Sequence, residues 1–300
     1  MINNTYTVDK QIGNGGSANV FLAQDLLKNK VVAKVIKEKK FQDEEYARRV
    51  LSQEFTIMCL LSQHPNILQC QEVLYDTNVE FGNGNEERIN CAILEYAENG
   101  TLSMLSRKAK YLDEISASFI FNQILSAVIY MHESNVVHCD IKPQNILLDK
   151  YFNVKVSDFG VSQLICTESG LISNRKGTKG FMAPELLPLQ RHDEYDPKAS
   201  DIYALGATLL FITWGETNFS KLSQNSNTTS TQDISENQNL EFNEILKKLN
   251  ISEELKDLIT LMISPCPNDR PSAEEIALHP WVQQANFSDP EYIYYCLSQI

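Results

Sequence analysis

Apolar residues along the first hundred positions alternate with polar ones at a spacing of two, interrupted by one stretch of helical spacing, whereas residues 113–282 are dominated by helical periodicity. Tyr6, Val8 and Ile12 fall on alternate positions before a glycine-rich turn, Val20 and Leu22 follow it, and Val31 to Ile36 form a β-branched run; three antiparallel strands are the simple reading. Between Asp43 and Ser62, Val50, Met58 and Leu61 recur at helical spacing, and Glu54 falls on the same stripe. A carboxylate on an apolar stripe points inward and asks for a cationic partner. Ile120, Ile124, Val128 and Met131 mark a long core helix, as does the apolar segment from Ile202 to Trp214. The pattern predicts an α+β chain with a small sheet-rich lobe at residues 1–97, a larger helical lobe at 98–282, a hinge near Glu95–Gly100 and a short tail at 283–300, helical or strand-like.

Two segments break the pattern. Asp76–Arg88 is rich in Asn, Gly and Glu, and Ser220–Asn239 is largely Ser, Asn, Thr and Gln. Neither has the apolar content to offset the entropy of ordering a chain, so both read as solvent-exposed insertions, the second as disordered.

Composition narrows the function classes. No apolar run approaches the length of a membrane span, and the N-terminus lacks the basic flank and apolar stretch of a signal peptide, which makes the cytosol or nucleus the expected compartment. Seven scattered cysteines include no Cys-x-x-Cys pair, so reduced thiols are expected. A formal charge of −13 disfavours nucleic acid as a partner. The helical and sheet-rich segments fill nearly the whole chain, which leaves regulation to partners, insertions or abundance. The oligomeric state is left open, with a monomer as the default.

Candidate chemistry begins at Ile12 and the turn Gly13-Asn14-Gly15-Gly16-Ser17-Ala18-Asn19-Val20, where glycines let backbone N–H groups approach phosphate oxygens without Cβ obstruction. Taken alone this motif is weak, and a plain hairpin turn is the better reading of it. Lys34 lies fourteen residues after Val20, and period-two geometry puts it on the face of Val32 and Ile36. A buried ammonium is costly unless paired, so inward Lys34 and inward Glu54 explain each other as a salt bridge that aims the lysine at a phosphate.

His138-Cys139-Asp140-Ile141-Lys142-Pro143-Gln144-Asn145 follows an apolar helix, and Val154-Lys155-Val156-Ser157 leads into Asp158-Phe159-Gly160. Together these resemble the catalytic and magnesium-binding loops of eukaryotic protein kinases. Gly177-Thr178-Lys179-Gly180-Phe181-Met182-Ala183-Pro184-Glu185, Asp201 with Gly206, Asp269-Arg270-Pro271 and His279-Pro280-Trp281 follow in family order, and the resemblance covers about residues 5–282. It implies a two-lobed protein kinase fold and a serine/threonine protein kinase using ATP and Mg²⁺ on protein substrates. Asp140 would accept or orient the substrate hydroxyl proton, Asn145 and Asp158 would hold Mg²⁺, and Lys142 would steady the γ-phosphate. Val20, Val32 and Leu147 resemble the apolar jaws around adenine, the backbone at Glu95 and Ala97 would bond to it, and Leu94 would guard the back pocket. Glu185 with Arg270 resembles the family's buried ion pair, and Asp201 the anchor of the catalytic loop.

The chain departs from the commonest pattern at two places. Ala18 replaces the third glycine, and Cys139 stands where many relatives carry an arginine that receives an activation-loop phosphate. Activity without loop phosphorylation is the expectation. Lys142 and Thr178 resemble the serine/threonine branch rather than the tyrosine branch. Gln144 replaces an acidic residue of basophilic relatives, so no arginine-directed consensus is implied. Val161 reads either as a threonine-preference marker or as core packing. Asn145-Ile146-Leu147-Leu148 and His279-Pro280-Trp281 resemble the calcium/calmodulin-dependent type. A pseudokinase serving as a nucleotide-binding scaffold and a small-molecule kinase remain alternatives; the intact Lys34, Glu54, Asp140, Asn145 and Asp158 weigh against the first, and the Thr178–Glu185 segment against the second.

Overall fold

The computed structural model describes residues 1–37, 44–80, 86–173, 175–190, 192–216, 218–219, 244–284 and 290–300. The expected insertion at 220–239 and the side chain of Val50 lie outside these residues, as does 81–85 of the expected 76–88 loop. Contacts divide the chain into two units, Met1–Glu98 with Asp158–Gly160, and Asn99–Ser157 with Val161–Ile300. The expected lobe boundary after residue 97 did not anticipate that Asp158–Gly160 would group with the first unit.

In the first unit, β1 (Thr7–Asn14), β2 (Ala18–Gln24), β3 (Lys30–Ile36), β4 (Cys70–Glu80) and β5 (Glu86–Glu95) form one antiparallel sheet in the order β1-β2-β3-β5-β4. Its two faces follow from the alternation of side chains along each strand. Ala23, Val31, Ala33, Val35, Cys91 and Ile93 share one face and form a core that Ile2, Tyr6, Val79 and Ile89 complete. Ile2 reaches this core by bridging to both Tyr6 and Val79. The opposite face carries Val20, Lys34 and Ala92 in register, with Leu22, Val32 and Leu94 two residues along. Helix α1 (Glu44–Leu60) packs on β4 and β5 through a stripe of Leu51, Glu54, Ile57 and Met58 continued by Leu61.

The reading of Asp76–Arg88 as a loop is corrected at both ends. Asn78 pairs with Arg88, Val79 with Glu87 and Glu80 with Glu86. Val79 is fully buried against Ile2. The apolar contact that offsets the ordering entropy comes from the N-terminus, which local composition does not register.

The second unit is built around α3 (Glu114–Glu133) and α4 (Pro197–Trp214), after a short α2 (Leu102–Ala109). Asp113 caps α3 by accepting from Ser116 N at 2.9 Å, and Asp196 caps α4 with Pro197 in the first turn. The expectation that no run approaches a membrane span is corrected at α3, which is long and apolar enough to cross one by length and composition; 61% of its most apolar 18 residues are buried inside the protein, as in a core helix. Gly206 of α4 lies against the helix Glu253–Met262 so closely that a Cβ would come 2.8 Å from that of Met262. Phe121 meets Trp281 edge-on at 5.7 Å. The tail forms a helix, Pro290–Ser298, that buries Ile293 and Leu297 and packs on α3. Two small hairpin-like pairings position the loops: β6 (Val136–Val137) with β9 (Gln163–Leu164), and β7 (Ile146–Leu148) with β8 (Val154–Val156).

Candidate active site

The first unit gathers one cluster of predicted residues. Lys34 Nζ donates to Glu54 Oε1 at 2.7 Å and to Asp158 Oδ1 at 3.0 Å. The pairing arises from two independent periodicities, since the strand turns Lys34 to the face that the α1 stripe presents Glu54 to. Burial alone would push the lysine below its ordinary pKa, but the carboxylates of Glu54 and Asp158 outweigh it and hold the ammonium above that value. Asp158 sits at φ +67, a left-handed conformation uncommon outside glycine, and its side chain is 52% exposed beside a lysine that is 14% exposed. Phe159, immediately after, is 1% exposed and anchors the turn.

On the same sheet face, Gly13 pairs with Val20, which pairs with Lys34. The turn closes by Gly15 N donating to Ala18 O at 2.9 Å, and a Cβ on Gly16 would meet nothing within 4 Å. Asn14, Gly15, Gly16 and Ser17 are exposed, Ile12 is 45% exposed, and Ala18 is buried. Lys37, which sequence reasoning did not single out, binds this turn, donating to Gly15 O at 2.6 Å and to Asn14 Oδ1. Val32 pairs with Leu94, whose side chain is buried, and Ala97 is buried beyond the strand end. Glu95 is tied to Gln69 twice: its carboxylate accepts from Gln69 N at 2.8 Å, and its own N–H donates to Gln69 O at 3.0 Å. That N–H is therefore engaged, which restricts any bonding by the Glu95 backbone to its carbonyl.

In the second unit Asp140 is the centre. Its Oδ1 accepts from Thr178 Oγ1 at 2.7 Å, and its Oδ2 accepts from Lys142 Nζ at 2.5 Å and Asn145 Nδ2 at 3.1 Å. Lys142 also donates to Thr178 Oγ1 at 2.6 Å. The loop carrying these groups is fixed from below. The buried Asp201 carboxylate accepts from His138 N at 2.8 Å and Cys139 N at 2.9 Å, and it contacts His132 Nε2 at 3.2 Å. His138 Nδ1 accepts from Asp140 N at 3.2 Å, which leaves Nε2 as the N–H that donates to Ser157 O at 3.1 Å. These bonds hold Cys139 at φ +63. Gly177 at φ +120 passes so close that a Cβ would lie 3.0 Å from Cys139 O, so the glycine is needed there. Leu147 lies on β7, which bridges to Thr101.

Cys139 lies beside the Tyr195 side chain, and burial, followed by the charge of Asp201, pushes its thiol well above the ordinary range. Tyr195 also pairs through its backbone with Ile172, by bonds of 3.0 and 3.1 Å, and so links the catalytic loop to residues 161–173. Glu185 and Arg270 form a bidentate pair at 2.7 Å per bond.

Asp158 on one unit and Asn145 on the other are hard-oxygen donors. Asn145 donates through its amide nitrogen to Asp140 Oδ2 and to Asp140 O at 2.9 Å, which leaves the amide oxygen as the atom that could hold a cation. Among the described residues no group of three or more His, Cys, Asp or Glu converges as a metal cage. Few protein oxygens suit Mg²⁺, which keeps several waters and phosphate oxygens as ligands.

The protein kinase domain family matches residues 6–282. The chain belongs to the protein kinase family. Its relatives include sperm motility kinase 3A of Mus musculus, 30% identical over 95% of this chain and 51% of the relative. CBL-interacting protein kinase 26 of Oryza sativa subsp. japonica is 31% identical over 94% and 52%, and SNF-related serine/threonine-protein kinase of Homo sapiens is 34% identical over 93% and 33%. The chain thus spans between a third and about half of the length of these relatives. Within the kinase domain, Tyr195 is a contact that sequence reasoning did not single out, and Thr178, read from sequence only as a serine/threonine marker, meets Asp140 directly. Both meet the catalytic loop from more than thirty positions away, and no spacing rule marks them.

Proposed function

We propose that this kinase domain transfers the γ-phosphate of ATP to serine and threonine hydroxyls of proteins. The observation that carries the reading is the Asp140 cluster, in which one carboxylate is held by Lys142, Asn145 and Thr178 at hydrogen-bond distance. A carboxylate so placed can take the proton of an acceptor hydroxyl, and Lys142 supplies positive charge beside it. Lys34, kept charged by Glu54 and Asp158, would hold phosphate oxygens, and Asp158 and Asn145 would ligate Mg²⁺. Mg·ATP, when bound, would supply the phosphoryl group and a cation to neutralise its oxygens. The chain needs no covalent intermediate, since positioning and charge neutralisation account for catalysis of this type. Kinship with serine/threonine kinases supports the choice of acceptor.

The test is transfer of labelled γ-phosphate from Mg·ATP to a degenerate Ser/Thr/Tyr peptide library, with Asp140→Asn as the comparison. Labelling of serine or threonine that disappears in the variant supports the proposal. Nucleotide binding without labelling above the variant would replace it with a pseudokinase scaffold.

A further inference from the structure

Segment 175–182, Arg-Lys-Gly-Thr-Lys-Gly-Phe-Met, carries three cations and no acid in a chain whose formal charge is −13. It runs alongside the candidate base, because Thr178 Oγ1 donates to Asp140 Oδ1 at 2.7 Å and accepts from Lys142. From this juxtaposition we infer that the acceptor side of the site selects serine or threonine residues flanked, within about three positions, by anionic side chains. The inference rests on the kinase reading above and deepens it by naming the substrate class.

Whether such a run attracts anions depends on what already neutralises it. Among the described residues, Arg175, Lys176 and Lys179 make no ion pair. Arg175 Nη1 donates to the carbonyls of Leu186 and Leu187 at 3.1 and 2.8 Å, and Lys176 Nζ reaches Val161 O at 3.4 Å. Carbonyls satisfy these donors without cancelling their charge. Lys179 is exposed, and its Cα is about 3.8 Å from that of Thr178, one peptide away from the residue that touches the base. Three carboxylates that hold the Asp140 loop or pack against this segment are engaged: Asp140 by Lys142, Glu185 by Arg270, and Asp201 by two backbone amides. Gln144, one residue before Asn145, is exposed and neutral. Segment 175–182 thus offers three cations that no carboxylate among the described residues pairs. Opposite charges at such partly exposed positions change affinity modestly, and like charges oppose binding.

The test uses the full chain after phosphatase treatment and peptides with one central threonine or serine. Each of three positions on either side carries Asp, Glu, phosphoserine, Ala, Lys or Arg in turn. The expected kcat/KM is about 3- to 5-fold higher for an anion than for alanine at the best position, and lower by a similar factor for lysine. The preference shrinks as salt rises. The Asp and phosphoserine arms distinguish a carboxylate-directed from a phosphate-directed enzyme. Lys179→Ala flattens the preference at one position, and Lys179→Glu reverses it there. A flat or base-preferring profile in the wild-type chain overturns the inference and needs no variant to be read. If no peptide is labelled, the kinase reading fails, and fluorescence anisotropy of the Asp-containing and Lys-containing peptides decides the inference separately. Tighter binding of the acidic peptide, weakened by Lys179→Glu, sustains it, and equal binding overturns it.

Discussion

Replacing Glu185 by glutamine removes the counter-charge of a guanidinium with no route to water. The Arg270 side chain is 0% exposed and that of Glu185 18%. Besides the two bonds to Glu185, Arg270 donates from Nε to Ser264 O at 2.8 Å and from Nη1 to Ala199 O at 3.0 Å, and its Cζ lies 5.1 Å over the Tyr203 ring. Breaking a buried pair by removing one partner costs about 3–5 kcal/mol, most of it from the charge left uncompensated. Glutamine keeps an acceptor oxygen and the carbonyls remain, so the lower end, about 3 kcal/mol, is expected for Glu185→Gln. A Glu185→Leu/Arg270→Met double variant removes both charges and should be less destabilised than the two single losses added together, by about 2 kcal/mol or more. Both tryptophans, Trp214 and Trp281, lie in the second unit, so urea unfolding followed by tryptophan fluorescence reports on the unit that holds the pair. The midpoint should fall by about 1 M or more in Glu185→Gln. A loss below about 0.5 kcal/mol, or strict additivity in the double variant, would refute the argument that an unpaired buried charge dominates.

Alanine at Thr167, Ser169 and Ser173 together should leave phosphotransfer largely intact, because the β6–β9 pairing and the Ile172–Tyr195 bridge hold residues 161–173 without a phosphate. A loss beyond about tenfold would reinstate a phospho-switch. Burial lowers the pKa of His64, and its Nδ1 accepts from Asn66 N at 3.2 Å. The unfolded chain then takes up the proton first as pH falls through 6.5, so a contribution to stability present at neutral pH is lost below that value; thermal unfolding against pH should show the slope, and His64→Gln should flatten it. Burial pushes the Cys70 and Cys91 thiols up to about 12. Alkylation at about pH 8, mapped by mass spectrometry, should therefore modify the exposed Cys59, Cys166 and Cys266 before Cys70, Cys91 and Cys139. Early labelling of Cys139 would mean that the Tyr195 contact opens readily.

Local periodicity determined which way side chains face, and with it much of the site. Alternation in β3 and the helical stripe of α1 each fix one direction, and together they foretold the Lys34–Glu54 pair, because backbone geometry alone sets those periods. The spacing of Asp140, Lys142 and Asn145 within one short loop was legible for the same reason, as a six-residue turn leaves little freedom. Other features depend on partners distant in sequence. The ends of the 76–88 segment became strand because Ile2 covers Val79, Thr178 reached Asp140 across 38 positions, and Asp158–Gly160 joined the unit of residues 1–98. Composition also hid the Lys37 clamp on the glycine turn and the nearness of Tyr195 to Cys139, since each joins residues more than twenty positions apart. The sequence by itself thus determined the residue types of the candidate site, their order and the faces they occupy. Only the tertiary structure decided which distant groups meet, because ladder register and side-chain pairing are settled by burial summed over the whole chain and leave no local period to read.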